Sequence, residues 1–118
     1  MPNTFKQVSN NAMPASATTP DVLYTCPGST TTVCLGLVLC NVHSTSVTTS
    51  VQLQSSTAGS NPNTNSNVWL VKDVSIPAGS SLEVLSGSKV VLQTTDDIYI
   101  DCSVSAKIDA ALSIMEIT

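Results

Sequence analysis

The sequence predicts an all-β fold: a single antiparallel β-sandwich of immunoglobulin-like or jelly-roll type, with seven or eight strands and a polar N-terminal arm. Three observations predict it. The chain has 42% hydrophobic and only 10% charged residues, and Val, Ile and Thr are frequent, the composition of a β-rich domain and not of a disordered one. Apolar residues alternate with polar ones over short runs. Gly, Pro, Asn and Asp clusters punctuate those runs at the spacing of a sandwich. A length of 118 residues suits one domain with a core of its own.

Residues 1–20 read as a polar arm of Asn, Ser, Ala and Pro in which Phe5 is the one large aromatic anchor, and residues 21–118 as the sandwich domain. Such an arm is expected to be disordered or to lie on a neighbouring subunit. Val22–Thr25 is the first strand, stopped by the turn dipeptide Pro27-Gly28. Thr30–Asn41 is a long strand. Val33, Leu35, Leu37 and Leu39 are expected on one face, with Cys34, Gly36, Val38 and Cys40 on the other. Both faces are apolar, so this strand should be covered on both sides, and Gly36 marks a bulge or a close approach.

Ser44-Thr45 is expected to close a hairpin into a strand over 47–54 with Val47, Thr49, Val51 and Leu53 inward. Residues 55–67 hold nothing apolar beyond one Ala and read as a long exposed loop. Val68–Val74 resumes a strand, and Ile76-Pro77-Ala78-Gly79 is a turn. Short strands follow over Leu82–Leu85, Lys89–Gln93 and Ile98–Val104. In the last of these, Ile98, Ile100, Cys102 and Val104 share a face. The segment Ile108–Ile117 fits both a helix and a strand period, and a strand is favoured because an all-β chain needs the partner.

The candidates for chemistry are few. Four Lys, no Arg and eight carboxylates give a net charge of −4, which argues against a nucleic-acid binder or a polybasic membrane-surface protein. The longest apolar run, Val33 to Cys40, is too short to cross a bilayer as a helix. No secretory signal is read at the N-terminus, so synthesis is expected in the cytoplasm. Cys26, Cys34, Cys40 and Cys102 match no zinc spacing and read as small buried hydrophobes rather than disulfides. His43 is the single histidine, beside a turn, and pairs with no recognisable nucleophile among 18 Ser and 15 Thr. Asp96, Asp97 and Asp101 have the hard oxygens a Ca²⁺ site needs, against a plainer reading as a solvated turn. Trp69 and Tyr99 could stack a sugar; Trp69 is expected in the core or at a subunit contact instead. No catalytic residue, cofactor site, metal site or small-molecule substrate is expected.

The ordered phrases of the chain resemble small virion structural proteins of tailed bacteriophages, especially phages of aquatic bacteria such as cyanophages. The phrases are Leu23-Tyr24-Thr25-Cys26-Pro27-Gly28 leading into Ser29–Val33, and Leu37–Val42 followed by the hydroxyl-rich 44–51. Val74-Ser75-Ile76-Pro77-Ala78-Gly79-Ser80-Ser81-Leu82, then Val91-Leu92 before Thr94-Thr95-Asp96-Asp97, and the closing Leu112–Thr118 complete the set. The likeness spans about residues 22–118 and departs at the four cysteines, where such proteins more often have Val, Ala or Ile. It implies a non-enzymatic module of the virion, on the tail, neck or baseplate, or else a capsid decoration protein. Its implied partners are copies of itself and other virion proteins; a trimer is expected by analogy with virion accessories on threefold or sixfold positions.

Overall fold

A computed structural model describes residues 3–57, 64–85 and 89–118 of the chain. Among these residues there are nine strands. They are β1 (Asn3–Met13), β2 (Asp21–Thr25), β3 (Thr31–Asn41), β4 (Val47–Gln54) and β5 (Val68–Ile76), then β6 (Ser81–Glu83), β7 (Val90–Leu92), β8 (Asp97–Cys102) and β9 (Ile108–Ile117). One sheet has the order β1-β9-β3-β6, with β7 also paired to β3, and the other has the order β2-β8-β4-β5. All pairings are antiparallel.

The pairing is concentric: β1 with β9, β2 with β8, β3 with β6 and β7, and β4 with β5. A long antiparallel ribbon rolled up so that its rungs alternate between two sheets gives this order, which is the jelly-roll topology and not the immunoglobulin one. The inner faces meet in one core. Leu37, Leu39, Leu92, Leu112 and Ile114 come from the first sheet, and Val47, Val51, Ile76, Ile98 and Ile100 from the second, all nearly inaccessible to solvent.

Three expectations change. Residues 3–13 of the supposed arm form β1, which pairs with β9 of its own chain from Asn3↔Ile117 to Met13↔Ile108. Its side chains are mostly polar and exposed, Phe5 included among the exposed, and only Val8 and Met13 carry an apolar signal inward. The turn at Ser44-Thr45 closes no hairpin, since β3 and β4 lie in different sheets. The chain crosses between them around buried Asn41, whose Nδ2 donates to the carbonyls of Thr45 and Ile76 while its Oδ1 accepts the His43 N–H. Finally, β3 changes phase at a bulge between Cys34 and Gly36. Cys34, Leu37 and Leu39 therefore face inward, while Val33, Val38 and Cys40 face outward, so Cys34 and Cys40 do not share a face.

The remaining elements follow the sequence closely. The ambiguous last segment is strand β9, buried at every second residue from Ile108 to Glu116. Gly79 takes a φ of 72°, the left-handed turn residue that a side chain would disfavour, and its N–H donates to the Asn41 carbonyl. The middle of the expected 55–67 loop, residues 58–63, lies outside the described residues. Residues 55–57 and 65–67 belong to no strand, and Ser55 N–H donates to Asn67 Oδ1 at 2.8 Å, joining the two ends.

Leu112 sits at the centre of β9, between Val8 of β1 and Leu37 of β3. Leu112→Ala is expected to lower stability by about 2–5 kcal/mol, whereas Ser113→Ala on the opposite face should change it by no more than about 0.5 kcal/mol. Thermal unfolding of both variants checks this.

Candidate functional site

A hydrogen-bonded chain of five side chains ties the edge strand to both sheets. Lys6 of β1 places its Nζ 2.8 Å from Glu116 Oε1. The Tyr24 hydroxyl of β2 donates to Glu116 Oε2 at 2.6 Å. With its proton committed to the carboxylate, Tyr24 accepts from Thr32 Oγ1 at 2.8 Å, and Thr32 Oγ1 in turn lies 3.3 Å from the Cys26 thiol. Glu116 is buried at 7% exposure, a position a carboxylate holds only when its oxygens are satisfied. The hydrogen bonds from Lys6 and Tyr24 hold the Glu116 carboxyl below the usual glutamate range. Burial, and then the bond to Glu116, push the Tyr24 hydroxyl well above the usual tyrosine value. Sequence reasoning missed this group because Lys6 lies in a segment with no apolar period and Glu116 in an otherwise apolar one.

The candidates from the sequence do not converge. His43 lies on the β3–β4 crossing, half-buried. Asp96 is buried at 3% exposure and organises its own turn: Oδ1 accepts from Ser55 Oγ (2.7 Å) and Thr57 Oγ1 (3.1 Å), and Oδ2 from the Gln93 N–H (3.0 Å). Asp97 accepts from Thr25 Oγ1, and Asp101 from the backbone of Cys102. Among the described residues no three of His, Cys, Asp and Glu are grouped as metal ligands. The four cysteines are free thiols, with Cys26, Cys34 and Cys102 buried and Cys40 half-buried. Burial pushes the Cys34 thiol up to about 11 and raises that of Cys26 as well, so both stay protonated and unreactive near neutrality.

Both sheets instead carry in-register rows on their outer faces. On the first sheet Phe5, Met115, Val33 and Val91 stand side by side across β1, β9, β3 and β7. Phe5 is 72% and Val91 57% exposed. On the second sheet Val22, Tyr99, Gln52 and Trp69 cross β2, β8, β4 and β5 in the same manner. Trp69 is 43% exposed and outside the core, which removes the core alternative of its expected core-or-subunit-contact placement, and the Lys72 ammonium sits 4.5 Å from its ring centre. Phe5 was recognised as an anchor in the sequence, but Met115 and Val91 were not, because their neighbours are known only from register.

No protein-family model matches the chain, and no curated protein does. Two solved structures resemble it. A chain of the Bacillus endospore appendages, described as a novel family of disulfide-linked pili, aligns at 13% identity over 98% of this chain and 88% of that one, with a TM-score of 0.49. A chain of the T13 IBDV viral particle aligns at 12% identity with a TM-score of 0.56. The alignment covers 97% of this chain and 30% of the IBDV chain. The second likeness shows a shared fold.

Glu116 has its folded pKa depressed, so its contribution to stability is present above the usual carboxylate value of 4.5 and is lost as pH falls below it toward the folded value. Tyr24 has its folded pKa raised, so its contribution is present below 10.0 and declines as pH rises above that. Melting temperatures across pH should therefore show an acid limb that flattens in Glu116→Gln and an alkaline limb that flattens in Tyr24→Phe. Trp69→Ala should cost about 1–2 kcal/mol, less than the roughly 3–5 kcal/mol of a core aromatic, as measured by denaturant unfolding.

Proposed function

We propose that the chain is a non-enzymatic structural component of a tailed-phage virion, a small building block attached to the tail, neck or baseplate. Its partners are copies of itself and other virion proteins, and it reaches the particle after synthesis in the host cytoplasm. The observation that carries the reading is the apolar row Phe5, Met115, Val33 and Val91 on the outer face of the first sheet. A monomeric domain of this size rarely leaves contiguous apolar side chains in water, and those that persist mark contact surfaces. The jelly-roll fold, common to the IBDV particle chain, and the phage-protein phrases of the sequence support it. A decoration protein on the capsid shell is the alternative within the same reading.

A carbohydrate-binding module is a second reading, favoured by Trp69 and Tyr99 standing on one face with Gln52 between them. The Lys72 ammonium over the Trp69 ring competes for the aromatic surface a sugar would stack on.

Quantitative mass spectrometry of purified particles tests the proposal. A few dozen copies or fewer are expected for a tail, neck or baseplate part. Hundreds, near the number of capsid subunits or a simple fraction of it, would move the protein to the shell. Absence from the particle would overturn the virion reading, and loss of glycan binding by folded Trp69→Ala would then establish the module.

A further inference from the structure

The outer face of the first sheet carries a ridge and a hollow side by side. The ridge is the row Phe5, Met115, Val33 and Val91. Further along β1, β9 and β3 lies a shallow hollow of about 470 Å³, lined by Ser9, Asn11, Val38, Cys40, Asp109 and Ala111. It is hollow because Ser9 and Ala111 are small and sit opposite each other in register. Ridge and hollow are separated by four to five residues, roughly 15 Å along the strands. Between them runs a neutral row of small or polar residues, Gln7, Ser113 and Gly36.

We infer that a second copy of this chain stacks face to face on the first sheet, related by a two-fold axis through the Gln7–Ser113–Gly36 row. That operation reverses the strand direction and keeps each strand over its counterpart. Phe5, Met115 and Val33 of each copy then enter the hollow of the other between Ser9, Ala111 and Val38, so one surface patch serves both sides, as an isologous contact requires. The inference rests on the reading of the chain as a self-assembling component and names the surface that does it.

Three features of this face favour a second copy as the occupant. Shape is the first, since ridge and hollow are complementary and belong to one face. Charge is the second. A chain of net charge −4 repels itself, but the ridge and the Gln7–Ser113–Gly36 row are uncharged, and the carboxylates of this face lie away from that row, Asp109 at the far end of the hollow and Glu83 beside Val38 on β6. Size is the third. The ten- and eleven-residue strands β1, β9 and β3, with the short β6 and β7 beside β3, span about 19 by 35 Å, roughly 650 Å² and of the order of the ~800 Å² per partner that a standard interface buries. The long strand β3 is apolar on both faces, and this contact would cover the outward one, as its own second sheet covers the inward one.

The test uses the full chain. Light scattering on the wild type is expected to give a dimer or an even multiple. Phe5→Ser removes the ridge and Ala111→Arg blocks the hollow; both positions are exposed, so each variant should keep the dilute wild-type melting temperature. Loss of about 10-fold in affinity per copy gives roughly a 100-fold weaker dimer for each variant. Ser113→Cys, placed beside the axis, should be joined into a dimer by a short bis-maleimide, whose span suits sheets stacked about 10 Å apart, while Gln52→Cys on the other sheet, like the wild type with its half-buried Cys40, should not. An oligomer unaffected by both substitutions, or a strict trimer, would overturn this contact and leave the virion reading standing. A wild type that stays monomeric at high micromolar concentration would overturn the contact as well, whereas only absence from the particle overturns the virion reading.

Discussion

Strand β9 is the constraint on which the first sheet depends. It pairs along nearly its full length with β1 on one side and β3 on the other, and its alternation decides which face of each partner is inward. Ile108, Ala110, Leu112, Ile114 and Glu116 point into the sandwich; Asp109, Ala111, Ser113, Met115 and Ile117 point out. A slip of one residue would put Asp109 and Ser113 into the core and expose Leu112 and Ile114, so the register is strongly specified. Irregularities on the neighbours preserve that phase. The bulge at Leu35 lets β3 match β9 on both sides of it, and the shift between Asn10 and Met13 lets β1 end with Met13 buried.

Most of this was legible as period-two patterning, and the misreadings share one cause. A strand is visible in sequence when its inward positions are apolar. In β8 they are Ile98, Ile100 and Cys102, and the face reads cleanly. In β1 the residues opposite the inward positions Ile114, Leu112 and Ala110 of β9 are Lys6, Val8 and Asn10, a series that looks like solvent. Lys6 serves there because its charge ends on Glu116, a partner 110 residues away that local sequence cannot supply. The phase of β3 was misjudged for a related reason: Gly36 signalled a bulge, but only the pairing Gly36↔Ser113 shows that Leu35 is the extra residue. Turn chemistry at 44–45 reported a reversal without saying into which sheet, and Asn41, not the turn, directs the crossing.

The same limit applies to the surfaces. Phe5, Met115, Val33 and Val91 come from four separate strands and lie up to 110 positions apart, and nothing in any one segment announces a row. Adjacency in the sheet creates it. Charge distribution adds to the contrast between the two faces. Asp21, Asp73, Asp97 and Asp101 all belong to strands of the second sheet, so the more acidic half of the molecule is turned away from the uncharged ridge and Gln7–Ser113–Gly36 row. An acidic protein can then approach its own copy along one face while the other stays solvated.

The abundance of Ser and Thr has a physical role in this arrangement. Thr30, Thr32, Thr49, Ser50 and Ser55 are buried, and each is hydrogen-bonded: Thr49 Oγ1 donates to the Asp101 carbonyl at 2.7 Å, and Ser50 Oγ accepts the Asp73 N–H at 2.8 Å. Among the described residues no buried side-chain nitrogen or oxygen lacks a partner. Hydroxyls satisfy bulges and corners without the desolvation that a buried charge would add, and only Asp96 and Glu116 among the carboxylates are buried. A chain whose polar needs are met this way keeps few charges at the centre of the first sheet's outer face. Association through a neutral face depends on apolar area and neutral hydrogen bonds, which salt screens little, rather than on ion pairs, which it screens strongly. The low charge content of the sequence and the neutral centre of the first sheet are thus two consequences of one composition.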